Sequence, residues 1–89
     1  MNNIEKLSNF IESSKIILSK KAYISVQYYF EHDEYEMAFE GLLISLIEEK
    51  KYPKDFNKEE WINLAIEFQL NKDSVFDDNI WDKFNEWIK

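Results

Sequence analysis

Glu34-Tyr35-Glu36-Met37-Ala38-Phe39-Glu40-Gly41-Leu42-Leu43-Ile44-Ser45-Leu46-Ile47-Glu48-Glu49-Lys50-Lys51 is the stretch around which the rest of this chain is organised. Wound at about 100° per residue, it places Tyr35, Ala38, Phe39, Leu42, Leu43 and Leu46 on one broad face. Met37, Gly41 and Ile44 form a narrower apolar strip on the opposite side. A helix that is apolar on two sides is wrapped by other helices, so the spacing predicts the central helix of a bundle. Its charge is one-sided as well. Between Glu31 and Glu49 stand seven acids, at positions 31, 33, 34, 36, 40, 48 and 49, and no lysine.

Working outward, His32-Asp33 reads as the turn before this helix, with Asp33 as N-cap and Glu36 at the capping-box position. Lys50 and Lys51 suit the negative C-terminal end of the helix dipole, and Tyr52-Pro53 stops the helix. On the N-terminal side, residues 3–18 carry Ile4, Leu7, Phe10, Ile11 and Leu18 at helical spacing, loosened at Ser13-Ser14. Ser19 is a candidate cap for a helix over residues 20–31, with Ala22, Tyr23, Val26, Tyr29 and Phe30 on one arc and Ile24 and Tyr28 on another. A strand is the alternative for its β-branched and aromatic run, but Tyr28-Tyr29-Phe30 breaks strict alternation and favours helix. Downstream, Asn57 caps a fourth helix, with Glu60 at N3 and Phe56 stapled toward Trp61. That helix shows Trp61, Ile62, Leu64, Ala65, Ile66 and Phe68 on a wide apolar face. After the connection 71–74, Asp77 or Asp78 caps a fifth helix, where Ile80, Trp81, Phe84, Trp87 and Ile88 share a side. The expectation is an all-α fold, a compact bundle of four to five short helices, in a single domain spanning residues 1–89.

Composition agrees. With 89 residues the buried fraction is marginal, and a content of 45% hydrophobic and 17% aromatic residues compensates for it. One glycine and one proline leave too little turn punctuation for a β-sandwich or barrel. The absence of cysteine excludes disulfides, thiolate metal sites and thiol nucleophiles, and suits a reducing compartment. No apolar run reaches the length of a membrane span, and the opening Met1-Asn2-Asn3-Ile4-Glu5-Lys6 lacks the apolar core of a secretion signal. A mature cytoplasmic protein is expected. The net charge of −7, with every cation a lysine, disfavours direct binding of nucleic acid or of an anionic membrane. It favours a basic protein partner, or serves solubility alone.

Nothing in the chain assembles catalytic chemistry. The one histidine, His32, lies between Glu31 and Asp33 at a helix end, where neighbouring side chains diverge. No serine has a sequence neighbour that would activate it, and a phosphate-cradling loop needs more than one glycine. Neither an enzyme nor a cofactor or metal is expected. Surfaces are the better candidates. Asp78, Asp82 and Glu86 stand at i, i+4 and i+8, a ridge of like charge that is slightly unfavourable to an isolated helix. The acids Glu31, Asp33, Glu34, Glu36 and Glu40 make a second patch. Tyr28 borders that patch if the second and third helices pack antiparallel, either as an aromatic anchor within a polar rim or as part of the core. Gly41, unfavourable inside a helix by up to about 1 kcal/mol, admits close approach by a helix of the same bundle or by a partner.

The stretch Glu31-His32-Asp33-Glu34-Tyr35-Glu36-Met37-Ala38-Phe39-Glu40-Gly41-Leu42-Leu43 resembles the E-H-G-E-Y-x-x-A-L-E-x-L segment of small helical immunity proteins of the MafI type and of contact-dependent growth inhibition systems (CdiI). The matching positions are Glu31, His32, Glu34, Tyr35, Ala38, Phe39, Glu40 and Leu42-Leu43. Asp33 replaces the glycine, and the likeness continues loosely to about Leu70. This resemblance implies a bacterial immunity protein that binds the toxic domain of a polymorphic toxin, often a basic nuclease, and occludes its site. Acids at 31–40 or 78–86 would then mimic phosphate spacing. Two rivals are a small acidic adaptor or anti-defence protein sequestering a basic host protein, and a homodimer built on the Met37-Gly41-Ile44 strip.

Overall fold

The computed structural model describes residues 2–89. α1 (Asn3–Ser14) opens under Asn2, whose side chain accepts the Glu5 backbone N–H at 2.8 Å. Its apolar spacing continues to Leu18, yet the helix ends at Ser14. The hydroxyls of Ser13 and Ser14 both donate to the Phe10 carbonyl, at 3.1 and 2.8 Å. The Ser14 carbonyl then receives the N–H groups of Ile17 and Leu18 and turns the chain. Serine hydroxyls compete for helical carbonyls, and two in succession end the helix here.

α2 (Lys20–Glu31) starts under Ser19, whose Oγ accepts the Ala22 N–H at 3.1 Å. The helical reading of this segment holds over the strand. α3 (Tyr35–Glu49) departs from expectation at its first turn. Asp33 is not the N-cap: it sits in the left-handed region at φ 61°, and its carboxylate accepts the Tyr35 hydroxyl at 2.8 Å. Glu34 is the residue before the helix and makes no side-chain cap bond. The short connection from α2 has to reverse the chain, which takes a left-handed residue; aspartate tolerates that conformation but cannot also hold the extended geometry of a cap.

Lys50 closes α3, also left-handed at φ 56°, and the N–H groups of Lys50 and Lys51 return to Ile47 and Leu46. α4 (Lys58–Glu67) begins as its sequence predicts. The Asn57 side chain accepts the Glu60 N–H at 3.0 Å, and the Phe56 ring lies 5.3 Å from that of Trp61. α5 (Ile80–Trp87) is capped by neither Asp77 nor Asp78. Asn79 precedes it without a side-chain cap bond, and the Asp77 carboxylate instead accepts the Asn79 N–H and pairs with Lys83.

The five helices of the described residues form an all-α bundle measuring 26 × 26 × 25 Å, with no strand. α3 is its axis: α2 lies along it, α1 and α5 pack against it, and α4 rests on α1. Ala38, Phe39, Leu42, Leu43 and Leu46 are fully buried, as the periodicity of the broad face requires. Leu7 and Ile11 of α1, Trp61 and Leu64 of α4, and Ile80 and Phe84 of α5 complete the core. Trp61 is its aromatic hub, stacked on Phe10 at 4.2 Å and within 6.1 Å of Phe39, Phe56 and Trp87. Each such side chain contributes about 1.5–3 kcal/mol by leaving water. No helix among the described residues is long and apolar enough to cross a membrane.

Candidate interaction surface

Helical phase decides which aromatics of α2 leave the core. Val26 faces α3, while Ile24 and Tyr28, one turn apart on another side, remain 55% and 54% exposed. The Tyr28 ring lies 4.2 Å from the His32 imidazole, whose Nδ1 is 2.8 Å from the Tyr28 carbonyl oxygen. In the chain that follows, from the end of α2 into α3, Glu31, Asp33, Glu34 and Glu36 are all exposed. Tyr28 is therefore a surface residue on an acidic corner rather than a core residue. At the same corner the Tyr35 phenol is raised above its usual value. Its hydrogen bond to Asp33 is the main cause, followed by partial burial and the negative charge of Asp33.

Glu40, expected among the surface acids, is not on the surface. It is 1% exposed, and its carboxylate accepts three successive backbone N–H groups: Val75 at 2.7 Å, Phe76 at 2.8 Å and Asp77 at 2.8 Å. A buried carboxylate is unfavourable by several kcal/mol unless its lone pairs are met, and three short charge-assisted bonds meet them here. Converging N–H groups of this kind usually form an anion-binding concavity. In this chain the anion is its own Glu40, and the effect is to fasten the loop between α4 and α5 onto α3.

That loop carries features the sequence reading passed over. Val75 and Phe76 are 53% and 46% exposed, although their own backbone N–H groups are bonded to the buried Glu40 carboxylate. Phe76 meets Tyr29 at 5.7 Å between ring centres, and Tyr29 meets Tyr28 at 5.8 Å. His32, Tyr28, Tyr29 and Phe76 thus form one connected run of rings. The signal in the sequence was an apolar pair, Val75-Phe76, inside an otherwise polar connection. Such a pair is indistinguishable by composition from a buried staple.

Beside the run lies a groove of about 340 Å³ between α2 and α3, lined by Ala22, Ser25, Val26, Tyr29, Ile44 and Phe76, and by Gly41. A Cβ added at Gly41 would meet the Val26 Cγ2 at 3.7 Å, an ordinary contact. The bundle itself therefore does not require glycine here.

The ridge Asp78, Asp82 and Glu86 is only partly a helix face. All three are exposed, but Asp78 lies in the turn before α5, where its carboxylate accepts the Ser74 hydroxyl at 3.4 Å. Glu86 is paired with Lys89 at 3.1 Å. Asp77, beside the ridge, is held below its ordinary value first by its hydrogen bond to Lys83, at 2.6 Å, and next by the Asn79 N–H. Of the two acidic surfaces, the α2–α3 corner is the one without a lysine partner in its sequence span. Among the described residues no group of three His, Asp or Glu side chains is arranged to hold a metal ion. Comparison of the chain with protein-family models, with curated proteins and with solved structures finds no match in any of the three.

Proposed function

We propose that this protein is an immunity protein, neutralising a basic, nuclease-type toxin domain by covering its substrate-binding face. The observation that carries the reading is the α2–α3 corner. There a half-exposed tyrosine, lying near His32, is followed in the chain by four exposed acids at 31, 33, 34 and 36, and no lysine occurs from residue 31 to 49. An aromatic anchor inside a charged rim is the composition of an interface hot spot, and opposite fields accelerate encounter with a basic partner. Glu31, Asp33, Glu34 and Glu36 supply the charge, and Tyr28 the anchor. Glu40 takes no direct part, because its carboxylate is occupied. Asp82 and Glu86 form a separate, weaker patch. The resemblance of residues 31–43 to immunity proteins points the same way.

The test is capture of the partner from the native host, followed by expression of its domain alone and together with this chain. Growth arrest by the domain alone, relieved by co-expression and no longer relieved when Glu31, Asp33 and Glu34 are changed to lysine, is the expected result. A captured partner that is harmless when expressed alone sinks the immunity reading and leaves a sequestering adaptor.

A further inference from the structure

We infer that the groove between α2 and α3 is a second half of the contact surface and receives an apolar side chain of the basic partner. Two independent observations carry this. Gly41 weakens the centre of the helix on which the bundle is built, yet its missing Cβ is not required by Val26, the nearest side chain, at 3.7 Å. What the glycine does achieve is room, since it lines the groove without a side chain of its own. The second observation is the wall. Phe76 is apolar, 46% exposed and held in place by the buried Glu40 carboxylate through its own N–H and those of Val75 and Asp77. A fold that anchors the backbone of an exposed aromatic beside an open groove lined by glycine offers a receptor for a side chain.

Charge fixes the kind of occupant. The groove follows α2 for about 15 Å, from Ser19 to Tyr29. Beyond Tyr29 the ring run leads to Tyr28 and His32, and so to the exposed acids of the corner. The charged side chain on the groove wall is Lys21, near its opposite end. A protein segment with an aliphatic or aromatic residue for the groove, and lysines or arginines directed toward the corner, matches this layout. A second copy of this chain, itself at −7, does not. This inference rests on the partner being basic, as under the proposed function, but not on its being a toxin.

The test uses the full chain in its native host, with a photo-crosslinking phenylalanine analogue in place of Ser45, Phe76, Tyr28 or, as a control on α4, Ile66. Crosslinks from positions 45 and 76 to one basic protein are expected, with none above background from position 66. Gly41→Met should reduce the position-76 adduct at least ~10-fold by filling the groove. Gly41→Ala should raise the melting temperature by several degrees, about 4–8 °C for a full helix-propensity gain. A lower melting temperature for Gly41→Ala would mean the bundle needs the glycine, and overturns the inference. So does an adduct at 76 that survives Gly41→Met, or a crosslinked partner that is acidic or a second copy. Crosslinks from position 28 alone overturn the groove while leaving the acidic corner standing. Groove crosslinks to a basic protein that is harmless when expressed alone keep the inference and end the immunity reading.

Discussion

Glu36 and Glu40 are the same residue one helical turn apart on the same helix, and they do opposite things. Glu36 stands in solvent on the acidic corner, whereas Glu40 is 1% exposed and holds the α4–α5 loop by three backbone N–H groups. The difference lies in what arrives opposite each one. Nothing covers the first turn of α3 on that side, while the chain returning from α4 passes over the second. An acid count along one helix is therefore not a surface charge. One of the seven acids between residues 31 and 49 is a structural ligand, and the loop it holds brings two apolar side chains to the surface.

Truncating each residue in turn should give very different losses. Glu40→Ala orphans three part-buried N–H groups and is expected to cost about 3 kcal/mol. The amide protons of Val75, Phe76 and Asp77 should then exchange much faster in native-state hydrogen exchange. Glu36→Ala should stay within about 0.5 kcal/mol of the parent in denaturant unfolding. Equal losses for the two would remove the distinction drawn here.

A second contrast concerns binding against stability. Tyr28→Ala should weaken partner binding by about 2 kcal/mol, roughly thirtyfold, and leave stability nearly unchanged. Charge reversal at Glu31 and Asp33 should instead slow association and flatten its salt dependence, read by stopped-flow mixing. If these two variants alter only the dissociation rate, the corner is not an electrostatic guide.

Turn residues sharpen the picture at smaller scale. Asp33, Lys50, Asp55 and Gln69 all have positive φ, while the one glycine is placed inside α3. Lys50→Gly should therefore stabilise the chain by about 0.5–1 kcal/mol, because the left-handed strain is relieved. Thermal unfolding would show it as a rise of a few degrees.

The two regions should also respond to opposite ends of the pH scale, with the smallest effects of all. Asp77, at the loop, is lowered from 3.8 by Lys83, so its contribution is present above about pH 4 and fades as pH falls through its folded value. Tyr35, at the corner, is raised from 10.0 chiefly by its bond to Asp33. Its contribution is complete below pH 10 and disappears as pH climbs past its folded value. Lys83→Met should shrink the acid-side loss to the part that the Asn79 N–H maintains and leave the alkaline side untouched, as followed by unfolding midpoints across pH.

Much of this was readable in the order of residues. The broad face of α3, the caps at Ser19 and Asn57 and the staple from Phe56 to Trp61 depend on contacts within a few positions, which spacing encodes directly. The all-α bundle follows from that periodicity together with the scarcity of glycine and proline. Local competition was harder to read. Ser13-Ser14 ended α1 before its apolar pattern ran out, and Asp33 served the reversal of the chain instead of capping α3. Either outcome is open to those residue types until the neighbouring helix is placed.

The remaining contacts act at long range. Residues 75–77 reach Glu40 across some thirty-five positions, and no periodicity links them. Phe76 is exposed because its backbone is tied elsewhere, and Gly41 gains a meaning only once Val26 is seen standing clear of it. Sequence patterns record which face of an element is apolar. Whether a particular charge on it meets water or three backbone N–H groups depends on which loop folds over it, and that is a property of the assembled bundle.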